Sequence, residues 1–95
     1  MAIALIMEFH GGTLEQYDAV VEALELNGRL ARGGIFHVAG PIEDGVRIVD
    51  VWESQQAVDT FLLERLGPVT ERLKIVQPQV TVWPVHNIMS EPYAG

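Results

Sequence analysis

The chain has 95 residues, enough for one domain, and 48% of them are hydrophobic. Six Lys and Arg stand against 13 Asp and Glu, which gives a formal net charge of −7. Nucleic acids and anionic membranes bind cationic surfaces, so this balance argues against both as partners. The absence of cysteine excludes disulfides, thiolate metal sites and a cysteine nucleophile.

The apolar content is high for so short a chain. A domain of this size buries a limited fraction of its surface, and its single core is marginal without help. Together these properties predict that a second subunit covers part of the surface. The apolar start, residues 1–7, lacks a basic flank and is too short for a signal core or a membrane span. We therefore expect a first strand there and a cytoplasmic protein.

The first half of the chain predicts a strand followed by a helix. Residues 2–9 form a nearly continuous apolar run, typical of a buried strand. Thr13 and Gln16 then have the spacing of a capping box, and Asn27-Gly28 is a pair that commonly ends a helix. The apolar stripe of this helix contains Leu14, Tyr17, Val20, Val21 and Leu24.

A loop and a hairpin come next. The loop of residues 29–34 carries two of the six cations, Arg29 and Arg32. Strand two is predicted at Ile35–Gly40, and the Asp-Gly signal within residues 41–45 indicates a hairpin turn. Strand three then covers residues 46–53.

The last part of the chain predicts a second helix and an edge strand. Ser54 caps the helix, and Gly67-Pro68 is expected to end it, with a further helical turn or two in residues 69–75. The last strand is predicted from Pro78 to about Ile88. Because Pro84 has no backbone N–H to donate to a ladder, this strand is expected to lie at a sheet edge or to break there. Residues 89–95 are a tail. The inner stripe of the helix contains Val58, Phe61, Leu62 and Leu66.

This β-α-β-β-α-β order predicts a ferredoxin-like α+β fold over residues 1–95, with a four-stranded antiparallel sheet and both helices on one face. The strands are apolar on both sides. We therefore expect the open face of the sheet to pack against a second copy, which would make a dimeric α+β barrel.

Strand three carries the least expected residue of the chain, the carboxylate of Asp50 on an otherwise apolar face. Because side chains alternate along a strand, Val46, Ile48, Asp50 and Trp52 share one face. If Asp50 faces a cavity, desolvation would raise its pKa and suit it to general acid–base catalysis. The alternative is a structural carboxylate held by backbone N–H groups or an arginine.

The length of the hairpin turn decides whether His37 joins Asp50. A two-residue Asp44-Gly45 turn places His37 opposite Trp52 and diagonal to Asp50, and a four-residue turn places it directly opposite Asp50. A three-residue turn sends it to the other face. On the same face, the two side chains would be a proton-transfer pair. A core or interface histidine is the alternative.

The segment 50–57, with sequence DVWESQQA, resembles the antibiotic biosynthesis monooxygenase-type group of dimeric α+β barrels. The resemblance implies that Trp52 matches the pocket-facing Trp of cofactor-free quinone-forming oxygenases. Ile48 stands where those enzymes keep an Asn. Phe61 stands where haem-degrading members keep a His, so the resemblance does not extend to haem.

Other polar and aromatic residues give weaker signals. Tyr17 could offer its hydroxyl to a ligand or simply belong to the core. Trp83 is interpreted first as interface packing and second as part of the pocket. His10 and His86 lie at strand ends, and with Glu8 they could hold a metal. Their spacing does not support one, so no metal site is predicted.

The leading hypothesis is a small-molecule enzyme acting on an apolar, aromatic or polyketide-like compound without a bound cofactor. Oxygenation, isomerisation or cyclisation would be its reaction. The predicted catalytic residues are Asp50, His37 and Trp52, and the predicted substrate-binding residues are Tyr17, Ile48, Phe61 and Leu62. A non-catalytic ligand-binding or stress-type barrel is the second hypothesis. The third is a structural dimer with a filled core and no cavity beside Trp52.

Overall fold

A computed structural model describes residues 1–91, and the end of the predicted tail lies outside the described residues. The strands are β1 (Ile3–His10), β2 (Gly34–Ile42), β3 (Gly45–Trp52) and β4 (Gln79–Pro84). The helices are α1 (Leu14–Ala23), α2 (Gln55–Phe61) and α3 (Gly67–Arg72), with a π-helical turn over Leu62–Leu66. The strands form one antiparallel sheet in the order β2-β3-β1-β4, which confirms the ferredoxin-like α+β fold.

The core lies between the sheet and the helices. In β1 and β3, alternate residues face the helices and are buried, and they pair across the two strands as Leu5 with Asp50 and Met7 with Ile48. Strand alternation therefore places Asp50 on the core side, on the same face as Ile48 and Trp52. The core cluster consists of Ile3, Leu5, Met7, Phe9, Ile48, Trp52 and Val58.

Helix α1 begins as predicted and ends earlier. The Thr13 hydroxyl accepts from the Gln16 N–H at 3.0 Å, and the Gln16 side chain accepts from the Thr13 N–H at 3.1 Å. The helix ends at Ala23 rather than at Asn27-Gly28. Both of the latter residues have positive φ, 54° and 77°, and lie at the centre of a turn in which Arg29 N–H donates to the Leu26 carbonyl at 3.0 Å. Positive φ at both central residues is typical of a type I′ turn.

Gly67-Pro68 does not end the second helical segment, contrary to the prediction. The Gly67 N–H donates to the Leu62 carbonyl, which closes a π-helical turn before α3. This widened turn lets the chain continue past Pro68, which occupies the first turn of α3, where a missing N–H costs little. In residues 1–91, no helix has the length and apolar character needed to cross a membrane.

The β2–β3 hairpin settles the position of His37. The ladder closes at the pair Ile42 and Gly45, so the turn consists of Glu43 and Asp44 alone. In this register His37 lies directly opposite Asp50, as expected for a four-residue turn, because pairing extends one step further toward the turn. A register shift at Ile35 marks a bulge near the start of β2.

β4 is an edge strand, as predicted from Pro84, and it pairs only with β1 among the described strands. It ends at Pro84, short of the predicted Ile88. The sheet face away from the helices is largely apolar and partly exposed. Its apolar side chains, which we call the open face, are Ala4, Ile6, Phe36, Val38, Val49, Val51 and Trp83.

Glycine at position 45 is required by a close approach between β3 and β1. A Cβ atom there would collide with the Phe9 carbonyl oxygen, whereas a Cβ at Gly40 would meet no atom within 4 Å. We expect Gly45→Ala to lower the free energy of unfolding by at least about 2 kcal/mol, because the backbone must move. Gly40→Ala, the matched control in the same hairpin, should change it by less than about 0.5 kcal/mol. Urea denaturation measures both, and equal effects would contradict the close approach.

Candidate active site

Asp50 is a buried carboxylate with two side-chain donors. It is 4% exposed in the middle of β3. Its Oδ1 lies 2.6 Å from His37 Nδ1, and its Oδ2 accepts from Trp52 Nε1 at 3.2 Å. Burial of an ionised carboxylate is costly unless hydrogen bonds replace its water, and these two bonds do so.

Tyr17 extends the chain of hydrogen bonds from the sheet to α1. Its Oη lies 2.6 Å from His37 Nε2. An ionised carboxylate can only accept, so with Asp50 ionised His37 carries its proton on Nδ1, and Nε2 accepts from the tyrosine hydroxyl. The two rings are nearly parallel, at 10°, with centroids 6.0 Å apart, as expected when they meet end to end rather than face to face.

Three separate local features bring these side chains together. The Thr13 cap fixes where α1 starts and so places Tyr17 one turn into the helix. The hairpin register sets His37 against Asp50. Asp50 and Trp52 share one face of β3, so the indole can reach the carboxylate.

A cavity of about 320 Å³ lies between the helices and the sheet. This size is within the usual range for small-molecule sites. Helix α1 has an apolar stripe and yet buries no residue fully, because part of that stripe faces the cavity. The apolar lining includes Met7, Phe9, Val20, Val21, Leu24, Leu66 and Ile75.

Most of the predicted site residues line this cavity: Tyr17, His37, Ile48, Asp50, Trp52 and Phe61. The predicted Leu62 instead packs against the core cluster beside it. The rings of Trp52 and Phe61 are in contact, with centroids 4.9 Å apart. An open space beside Trp52 argues against the hypothesis of a filled core.

The loop after α1 lies at the cavity, a position that was not predicted from the sequence. Leu26, Gly28, Arg29, Leu30 and Ala31 all contribute to the lining. The available signal was Asn27-Gly28, which is as typical of a type I′ turn as of a helix end. A turn there folds the following residues back over the cavity.

The other histidines lie away from the cavity. His10 is on the opposite sheet face, where its ring contacts Asp44 at 2.9 Å and Gln79 at 3.1 Å, and its hydrogen bond to Asp44 raises its pKa. Glu8 pairs with Arg47 at 2.6 Å. His86 is exposed. Within residues 1–91, no three His, Asp or Glu side chains are grouped to hold a metal ion.

The pKa of the Tyr17 hydroxyl is raised above its ordinary value of 10.0. Burial is the main cause, followed by the negative charges of Asp50 and Asp18. Tyr17 is therefore protonated at neutral pH. When Asp50 is ionised and His37 carries its one proton on Nδ1, the site is an ordered chain of donors from the Tyr17 hydroxyl to the Asp50 carboxylate.

Comparisons with known proteins identify the fold. No protein-family model matches the chain, and no curated protein has a matching sequence. Among solved structures, it is similar to a candidate antibiotic biosynthesis monooxygenase from Chloroflexus aurantiacus, with 18% identity over 94% of this chain and 98% of that one and a TM-score of 0.64.

Two other structures of the same type are similar over nearly their whole length. One is SnoaB, a cofactor-independent oxygenase from Streptomyces nogalater, with 14% identity over 95% of this chain and 97% of that one and a TM-score of 0.63. The other is a candidate antibiotic biosynthesis monooxygenase from Deinococcus radiodurans, with 12% identity, coverage of 98% and 100%, and a TM-score of 0.64. The chain thus has the fold of antibiotic biosynthesis monooxygenase-type proteins, as its sequence around Trp52 predicted.

Proposed function

We propose that this protein is a small-molecule enzyme that moves a proton on an apolar or aromatic substrate held in the cavity. The observation that carries the proposal is the hydrogen-bonded chain of Tyr17, His37 and Asp50 in the cavity wall. Its distances of 2.6 Å are short, and general acid–base catalysis needs groups within such reach.

The order of the chain defines the direction of proton transfer. The Tyr17 oxygen would accept a proton from the substrate while the hydroxyl proton passes to His37 Nε2. The imidazolium that forms lies against the Asp50 carboxylate, which stabilises its charge. A free phenolate, disfavoured by the raised pKa of Tyr17, need not form when both protons move together.

Trp52 has a positioning role in this scheme. Its indole N–H donates a hydrogen bond to Oδ2 of Asp50, which leaves Oδ1 for the hydrogen bond with His37. The indole also forms part of the apolar wall with Phe61. Isomerisation or cyclisation fits these groups best, because both reactions need proton transfer alone and Ile48 offers no hydrogen bond to an oxygenated intermediate.

A ligand-binding protein without catalysis is the second candidate. In the described residues, every buried side-chain nitrogen and oxygen has a hydrogen-bond partner. The chain from Tyr17 to Trp52 is therefore complete without a ligand and could serve only to hold the cavity open. Turnover and binding must be measured separately to distinguish the two.

We infer that the open face of the sheet associates with a second copy of the chain. Phe36, Val38 and Trp83 are 40–49% exposed there, beside further apolar residues of β1 and β3. Exposed apolar groups of this kind are typical of association surfaces. Two copies would bury this face and leave each cavity on the outer, helical side.

Proton transfer can be measured with tetralone, a bicyclic aromatic ketone, by following deuterium uptake at its α-carbon by NMR. The wild-type protein should accelerate this exchange above the rate in buffer. His37→Gln, Asp50→Asn and Tyr17→Phe should each reduce the acceleration about a hundredfold or more, since each interrupts the chain.

His10→Gln is the matched control, because His10 lies on the opposite sheet face. It should retain the wild-type rate. If His37→Gln exchanges as fast as wild type, the proton relay is refuted. If the wild type binds tetralone without accelerating exchange, the ligand-binding interpretation is favoured instead.

The titration of Tyr17 can be followed by phenolate absorbance. Tyr17 should ionise above pH 10.0, and Tyr17→Phe identifies its signal. Asp50→Asn should lower the pKa of Tyr17 but not abolish the shift, because burial remains its main cause.

The raised pKa of Tyr17 also makes the stability of the fold depend on pH. A pKa raised in the folded state contributes stability that is complete below about pH 10 and is lost as pH rises through the folded pKa of Tyr17. Tyr17→Phe should therefore weaken the loss of stability in that alkaline range. Ionisation of Tyr17 at or below its ordinary pKa would contradict its burial against His37.

Association through the open face can be tested by light scattering. Wild type should be a dimer at micromolar concentration, and Val38→Glu should be monomeric because it places a charge among the apolar side chains of the face. Leu63→Glu is the control, since Leu63 is 79% exposed on the helical side. A monomeric wild type would overturn the inference.

A further inference from the structure

Arg29 is a cation at a mostly apolar cavity. Among the residues that line the cavity, its side chain is the one with a fixed positive charge, and the one carboxylate, Asp50, lies on the sheet side. Arg29 is itself exposed to solvent, so its guanidinium is accessible from the solvent side of the cavity.

The backbone holds Arg29 in this place. The Leu26 carbonyl accepts from the Arg29 N–H at 3.0 Å, across the turn formed by Asn27 and Gly28. Leu26 and Leu30, on either side of Arg29, also line the cavity. The loop is thus anchored by apolar side chains, and Arg29 is presented between them.

The guanidinium is free to bind a ligand. Within the described residues, Arg29 makes no salt bridge and no side-chain hydrogen bond, whereas Arg47 pairs with Glu8 and Arg65 donates to the Leu24 carbonyl at 2.7 Å. A guanidinium binds a carboxylate through two parallel hydrogen bonds. The inner wall offers no comparable site, because the Asp50 charge repels an anion there.

We infer that the ligand of this cavity is an amphiphilic organic acid, with an apolar or aromatic body inside and a carboxylate bound by Arg29 on the solvent side. This inference rests on the proposed small-molecule site and specifies its substrate class. The carboxylate end at Arg29 leaves the apolar body to reach Tyr17 and His37, so charge recognition and proton transfer occur at different ends of the ligand.

The test compares two ligands of nearly equal size, naphthylacetate and naphthylacetamide, by titration calorimetry. Wild type should bind the acid about tenfold more tightly than the neutral amide, as expected for a charge-assisted pair. Arg29→Gln should remove this preference and change the affinity for the amide less than about twofold, since the apolar contacts remain. Added salt should weaken the binding of the acid alone.

Arg32→Gln is the matched control. Arg32 belongs to the same loop and is exposed, but it lines a separate groove with Glu53 and Glu64. It should keep the full preference for the acid. In NMR spectra, both ligands should shift the indole N–H signal of Trp52, which a Trp83→Phe variant distinguishes from the second tryptophan.

The outcomes separate this inference from the proposed function. If Arg29→Gln keeps the preference for the acid, or if wild type shows none, the role of Arg29 is overturned while proton exchange on tetralone still tests the relay. If neither ligand binds wild type, both the substrate class and the small-molecule cavity are overturned.

Discussion

The buried carboxylate of Asp50 is the constraint on which the site depends. A charge at this depth is stable only if donors replace the water that it loses, and His37 and Trp52 are those donors. Removing one would leave the carboxylate short of a partner, at a cost of about 1–3 kcal/mol. Hydrogen bonds to this one carboxylate therefore constrain both the hairpin register and the rotamer of Trp52. His37 in turn fixes Tyr17, which ties α1 to the sheet.

This dependence gives a physical reason for the cavity. Apolar walls of a solvent-accessible cavity favour its closure, because closing removes apolar surface from water. The Tyr17–His37 hydrogen bond links α1 to β2 and so opposes that closure. Helix α1 accordingly buries no residue fully. It is held on the sheet by a polar contact as well as by packing.

The sequence predicted the local features of this fold better than the contacts between its elements. Alternation along β3 placed Asp50 and Trp52 on one face, and the capping signals placed the starts of both helices. The contact between His37 and Asp50 remained open because it depends on how far the ladder closes toward the turn. The Gly67-Pro68 signal failed for another reason. A π-helical turn precedes the proline and lets the helical segment continue, and such turns are rare.

The two faces of β3 explain why the register of this strand is so strongly determined. Asp50 and Trp52 face the cavity, while Val49 and Val51 face the open side of the sheet. A slip by one residue would exchange these sets, exposing the valine pair to the cavity and placing an unpaired carboxylate on the apolar open face. The proposed chemistry on one side and the proposed association on the other would therefore fail together. The same alternation that makes Asp50 unexpected in the sequence is what keeps the strand in register.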